Sequence, residues 1–143
     1  MSLELAKRTQ TRFVKTQNKL KSSNFEFDLN STTATSYDWW IFVTKENGKV
    51  IFNNYSYSVS TRKHQSKAWR ILGYEADLTL QFTAKSLNSL REALNEEIRL
   101  TNDEINNIFR QIAKKGSRKA TNEKRMERIE KLNQHIRNVV EML

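Results

Sequence analysis

Trp39-Trp40-Ile41-Phe42-Val43-Thr44-Lys45-Glu46-Asn47-Gly48-Lys49-Val50-Ile51-Phe52 is the stretch whose reading decides the fold. Two runs of β-branched and aromatic side chains flank Asn47-Gly48, and Asn-Gly tolerates the positive φ angles of a tight hairpin turn. An antiparallel hairpin follows. Its second strand reads onward through Asn53-Asn54-Tyr55-Ser56-Tyr57-Ser58-Val59, with Ile51, Tyr55, Tyr57 and Val59 on one face and Ser56 and Ser58 on the other. Adjacent strand residues point to opposite faces, so Trp39 and Trp40 do not share one core face. Trp40 is assigned to the core with Phe42, and Trp39 to a partner contact, because Trp is enriched at interfaces.

Upstream of the hairpin, Phe25, Phe27 and Leu29 alternate with Asn24, Glu26, Asp28 and Asn30, as in a strand with one wet face, and residues 31–36 read as a polar loop. Residues 1–22 place Leu5, Arg8, Arg12, Phe13 and Leu20 at helical spacing, with six cations against Glu4, and predict a basic N-terminal helix. Downstream, a hydroxyl N-cap at Ser60 or Thr61 opens a short helix over residues 61–72 that Gly73 closes. Ala68, Trp69, Ile71 and Leu72 would dock it on the sheet, and residues 78–83 alternate as a last strand.

From Ser86 to the end the period is helical. Leu87, Leu90, Leu94, Ile98, Thr101, Ile105, Ile108 and Ile112 step by threes and fours, and Ile129, Leu132, Ile136, Val139 and Leu143 resume the pattern beyond Gly116. Two antiparallel helices satisfy this, and their seam closes within the hairpin, packs on the sheet, or pairs with a second copy in a homodimer. The expected fold class is thus α+β: an N-terminal helix, about four mostly antiparallel strands with one inserted short helix, and a C-terminal long antiparallel helical hairpin. One domain over residues 1–143 is expected, with the basic helix at 1–22, the sheet region at 24–84 and the hairpin at 86–143. Trp40, Phe42, Phe52, Leu80, Ile98, Ile105, Ile129 and Ile136 form the expected core.

Composition narrows the function classes. There is no Cys, so disulfides and thiolate metal sites are excluded, and two His do not make a zinc site. No apolar run approaches the roughly 20 residues that span a bilayer, and residues 1–20 lack a signal-peptide core, so the expectation is a cytoplasmic protein. Twenty-five Lys and Arg against 16 Asp and Glu give +9, which favours polyanionic partners. The lack of Pro and the wealth of Asn and Lys suit an AT-rich phage or mobile-element gene.

The densest charge falls around Gly116, where Arg110, Lys114, Lys115, Arg118, Lys119, Lys124, Arg125 and Arg128 face only Glu123 and Glu127. Such clusters meet phosphate oxygens without reading sequence; the bland alternative is a solvated helix connection whose cations pair with those two glutamates. Arg62, Lys63 and Lys67 of the short helix, and Arg12 and Lys15 of the first, extend the candidate surface, while Tyr55 and Tyr57 offer stacking faces or are ordinary sheet residues. A metal-independent ribonuclease would use His64 as general acid or base, with Arg62 or Lys63 stabilising charge and Tyr57 assisting. Nothing at fixed spacing supports that, and His64 reads as an exposed member of a basic helix, with His135 weaker still. No catalytic residue, metal or cofactor is therefore expected. The leading expectation is a non-catalytic nucleic-acid-binding accessory protein of low specificity, for DNA or RNA. The alternative is a protein-interaction module or inhibitor, such as a phage anti-defence or host-takeover protein, that docks on an acidic protein surface through Trp39 and Tyr55.

Overall fold

The computed structural model describes residues 14–16 and 18–143, with side chains from residue 18 onward. The chain falls into two compact units, Met1–Ala93 and Leu94–Leu143. In the first unit seven strands form one sheet in chain order: β1 (Val14–Thr16), β2 (Lys19–Ser22), β3 (Phe25–Asp28), β4 (Thr33–Ser36), β5 (Trp40–Glu46), β6 (Lys49–Asn53) and β7 (Leu78–Leu80). Neighbours from β1 to β6 are antiparallel, and helix α1 (Val59–Ile71) carries the chain across to β7, parallel to β6.

This corrects the expected architecture in two places. The second half of the expected N-terminal helix is strand at Val14–Thr16 and Lys19–Ser22, and the first helix of the described residues is α1; residues 1–13 and 17 lie outside them. The sheet has seven strands rather than about four, because Val14–Thr16 and Lys19–Ser22, helical by spacing, and Thr33–Ser36, a polar loop by composition, are all strands; the last of these is β4. Its sequence, Thr-Ala-Thr-Ser, has no large apolar group, yet Ala34 and Ser36 are fully buried between β3 and β5. Small side chains here let the covering helix α1 come close over the strand, where its His64 meets Ser36 at 2.6 Å.

Asn47 (φ +52°) and Gly48 (φ +77°) make the turn between β5 and β6, where Glu46 pairs with Lys49. In β5 the register shifts: Ala34 faces Val43 while Thr35 faces Ile41, which leaves Phe42 as an extra residue. The bulge breaks simple alternation, so Trp40, Phe42 and Val43 all join one cluster with Leu20, Phe25, Phe27, Ala34 and Phe52. Trp40 stacks on Phe42 at 5.5 Å, and its indole N–H donates to the Ala84 carbonyl. Helix α1 covers this face with Ala68 and Ile71, while Trp69 packs on Phe52 at 4.9 Å.

The second strand of the hairpin stops at Asn53, earlier than its composition suggests. The buried Gln65 amide donates to the carbonyls of Asn53 and Tyr55, taking up oxygens that a continuing strand would have used. The N-cap is Ser58, not Ser60 or Thr61: its Oγ accepts from the Thr61 N–H, and the Thr61 hydroxyl answers the Ser58 N–H. At the other end Gly73 (φ +71°) donates to Arg70 and Tyr74 to Trp69, a Schellman closure. The last strand is also shorter than residues 78–83, ending at Leu80.

A single 3-10 turn, Leu87–Ser89, leads into α2 (Leu90–Ala113), and α3 (Lys119–Met142) follows the Gly116 turn. In the second unit Leu94, Thr101, Ile105 and Ile108 of α2 and Ile129, Leu132 and Val139 of α3 are buried. Ile98 and Ile136, expected in the core, are only partly covered. Their sequence neighbours pair instead: Glu97 is fully buried and its Oε1 lies 2.8 Å from His135 Nε2. An apolar seam read by periodicity thus contains a polar pair across the two helices.

Candidate nucleic-acid interface

The turn between α2 and α3 gathers four of the sequence-predicted cations within six residues: Lys114, Lys115, Arg118 and Lys119, all exposed. Ser117, which the sequence reading overlooked, shapes the turn. Its hydroxyl donates to the Ile112 and Lys114 carbonyls at 2.9 and 2.6 Å, taking up oxygens left free at the end of α2. A Gly-Ser pair directly after a helical period is a stop signal that could have pointed to it. Arg118 is the N-cap of α3, without a side-chain cap bond, and the first turn of that helix carries no acidic residue.

Electrostatically the turn is uncompensated. Ion pairs join Lys21 with Glu26, Arg99 with Glu96 and Asp103, and His135 with Glu97, and among the described residues none engages a cation of the turn. Glu123 and Glu127, the two acids expected to neutralise it, are exposed and have no cation within 4.0 Å among the described residues. Arg125 differs from the rest: it is half-buried and donates to the Asn122 side chain at 3.0 Å.

The remaining candidates belong to the other unit. Arg62 and Lys63 are exposed on α1, with Arg62 Nη1 donating to Ser56 Oγ at 3.3 Å. Lys67 is half-buried, donates to Ser22 Oγ at 3.2 Å and stands 6.0 Å above the Phe25 ring. Lys15 sits in β1, and Arg12 lies outside the described residues. Tyr55 is partly buried, with its N–H donating to Asn53 Oδ1, whereas Trp39 is 54% exposed and Tyr57 51%. Tyr57 stands in the loop between β6 and α1 rather than in a strand.

His64 is not on the surface. It is 7% exposed, its Nδ1 lies 2.6 Å from the buried Ser36 Oγ, and its ring packs 5.8 Å from Phe25 and 5.6 Å from Tyr37. The run Arg62-Lys63-His64 suggested a uniformly wet face, but 100° per residue turns His64 toward β4 while its two neighbours stay outside. Desolvation, and then the charge of Lys67, hold its pKa below the ordinary imidazole value. No group of three or more His, Cys, Asp or Glu among the described residues is placed to hold a metal ion, and no helix there is long and apolar enough to cross a membrane. The chain matches no family model, no curated protein and no solved structure.

Proposed function

We propose that this protein binds nucleic acid without catalysis, through sequence-independent phosphate contacts at the α2–α3 turn. The observation that carries the reading is the set of four exposed cations, Lys114, Lys115, Arg118 and Lys119, with no carboxylate of the described residues in ion-pair reach. Cations that merely decorate a helix connection tend to find partners at i±3 or i±4; here Glu123 and Glu127 leave them available to a polyanion. The uncapped first turn of α3 adds N–H donors and a favourable dipole to the same place. His64 and Ser36, the closest approach to a catalytic pair, are enclosed and serve packing in this reading.

The test is a binding titration of labelled DNA and RNA at two salt concentrations. Changing all four cations to glutamate should weaken binding and flatten the slope of log affinity against log salt by roughly 0.7–0.9 per lost phosphate contact. The circular dichroism spectrum should be retained, because all four side chains are exposed. Wild type that binds neither ligand at low salt overturns the reading. In that case the exposed Trp39 favours the second reading, docking on an acidic protein surface, in which Trp39→Ala and the charge reversal would both weaken a protein complex.

A further inference from the structure

Three aromatic rings crowd one end of the sheet, where β4 turns into β5 and β6 runs out toward α1. Tyr37 is 41% exposed, Trp39 54% and Tyr57 51%. Trp39 meets Tyr57 edge-on at 5.9 Å, Tyr57 lies 5.7 Å from the buried Trp40, and Tyr37 rests 5.6 Å from His64. Leaving three such side chains in water forgoes a substantial burial gain, and the exposed pair Trp39–Tyr57, with Tyr37 two residues from Trp39 along the chain, marks an interaction site.

The rings are held in place. Tyr37 and Asp38 take φ +54° and +61° in succession, the two central positions of the tight turn that joins β4 to β5. Trp39 N–H reaches the Ser36 carbonyl at 3.4 Å, while Ser86 Oγ donates to the Trp39 carbonyl at 3.5 Å and accepts from the Ile41 N–H at 3.0 Å. Tyr57 immediately precedes the Ser58 capping box.

The charge beside the rings is positive. Helix α1 carries Arg62, Lys63, Lys67 and Arg70 and no acidic residue. Arg62 is bonded to Ser56, the neighbour of Tyr57, and Lys63 adjoins His64, on which Tyr37 rests. Asp38 is the carboxylate within the turn itself, so an anionic backbone would run on the helix side of the rings.

We propose that this surface binds single-stranded nucleic acid, with bases stacked on Tyr37, Trp39 and Tyr57 and phosphates on Arg62 and Lys63. The proposal rests on the nucleic-acid reading above and adds strandedness. A duplex hides its base faces, whereas a single strand offers rings and phosphates side by side, the pairing that fixed aromatics next to cations match.

A short labelled deoxythymidine oligonucleotide and a duplex of equal length, titrated into the full chain, test it. The single strand should bind more tightly and quench tryptophan emission. Trp39→Ala should weaken single-strand binding by about 5- to 150-fold and leave duplex binding unchanged, while Trp39→Phe should keep most of the affinity. If Trp39→Ala lowers the melting temperature, Tyr57→Ala makes the same discrimination. Variants that bind the single strand like wild type, or lose both ligands equally, overturn this proposal and leave the phosphate reading standing; no binding of either ligand at low salt overturns both.

Discussion

Ser36 Oγ on β4 and His64 Nδ1 on α1 meet at 2.6 Å, with the hydroxyl fully buried and the imidazole nearly so. This bond, with the flanking contacts of the ring to Phe25 and Tyr37, ties the helix to the strand that carries the turn to Trp39. A residue that reads as surface-exposed in sequence is therefore buried between the helix and the sheet. The consequences are measurable.

Replacing His64 by alanine should destabilise the protein by about 1–3 kcal/mol, because it leaves the Ser36 hydroxyl buried without its partner and removes ring contacts. Urea denaturation followed by circular dichroism measures this. A loss below about 0.5 kcal/mol would mean that the site relaxes or admits water.

The same histidine makes stability depend on pH. Its native pKa is held below the ordinary value of 6.5, by burial first and by Lys67 second, so the unfolded chain takes up the proton before the native one does. The native state is at full advantage above about pH 6.5 and loses stability as the pH falls from there through the native pKa. Melting temperatures between about pH 7.5 and 5.5 should drop more for wild type than for His64→Gln, which has no proton to gain there. Equal drops would assign the acid sensitivity to other groups.

In the helical unit, His135→Ala strips a hydrogen bond from the fully buried Glu97 carboxyl. A cost of about 1–3 kcal/mol is expected. The double change Glu97→Leu with His135→Leu should recover much of it, since apolar groups can replace a buried polar pair with little penalty. Chemical denaturation of wild type and the two variants closes the comparison.

Truncating Ile129 to alanine should cost about 2–5 kcal/mol, as for a buried aliphatic that leaves a cavity, whereas Val140→Ala should stay within about 0.5 kcal/mol. Ile129 is 3% exposed and Val140 52%. Comparable losses from both would show that Val140 is covered in solution, as in a homodimer.

Much of the local structure is determined by short-range chemistry and was legible from the residues alone. Asn47-Gly48 is a turn because both positions tolerate positive φ, Gly73 and Gly116 end helices for the same reason, and the three-four spacing from Leu90 onward has only a helical solution. The charge around Gly116 is equally a property of the chain. Tertiary structure decided the rest, because it depends on partners remote in sequence. Thr33–Ser36 is a strand only because β3 and β5 flank it, and residues 19–22, helical by spacing, pair instead with β3. The bulge at Phe42 turns three of four consecutive β5 residues into one core, and Gln65 ends β6 by capturing its carbonyls. His64 goes inside to meet Ser36 and Tyr37, while Trp39 and Tyr57 are brought together from two loops; periodicity sets the direction of a side chain within its own element, but only the packing of elements decides what it meets.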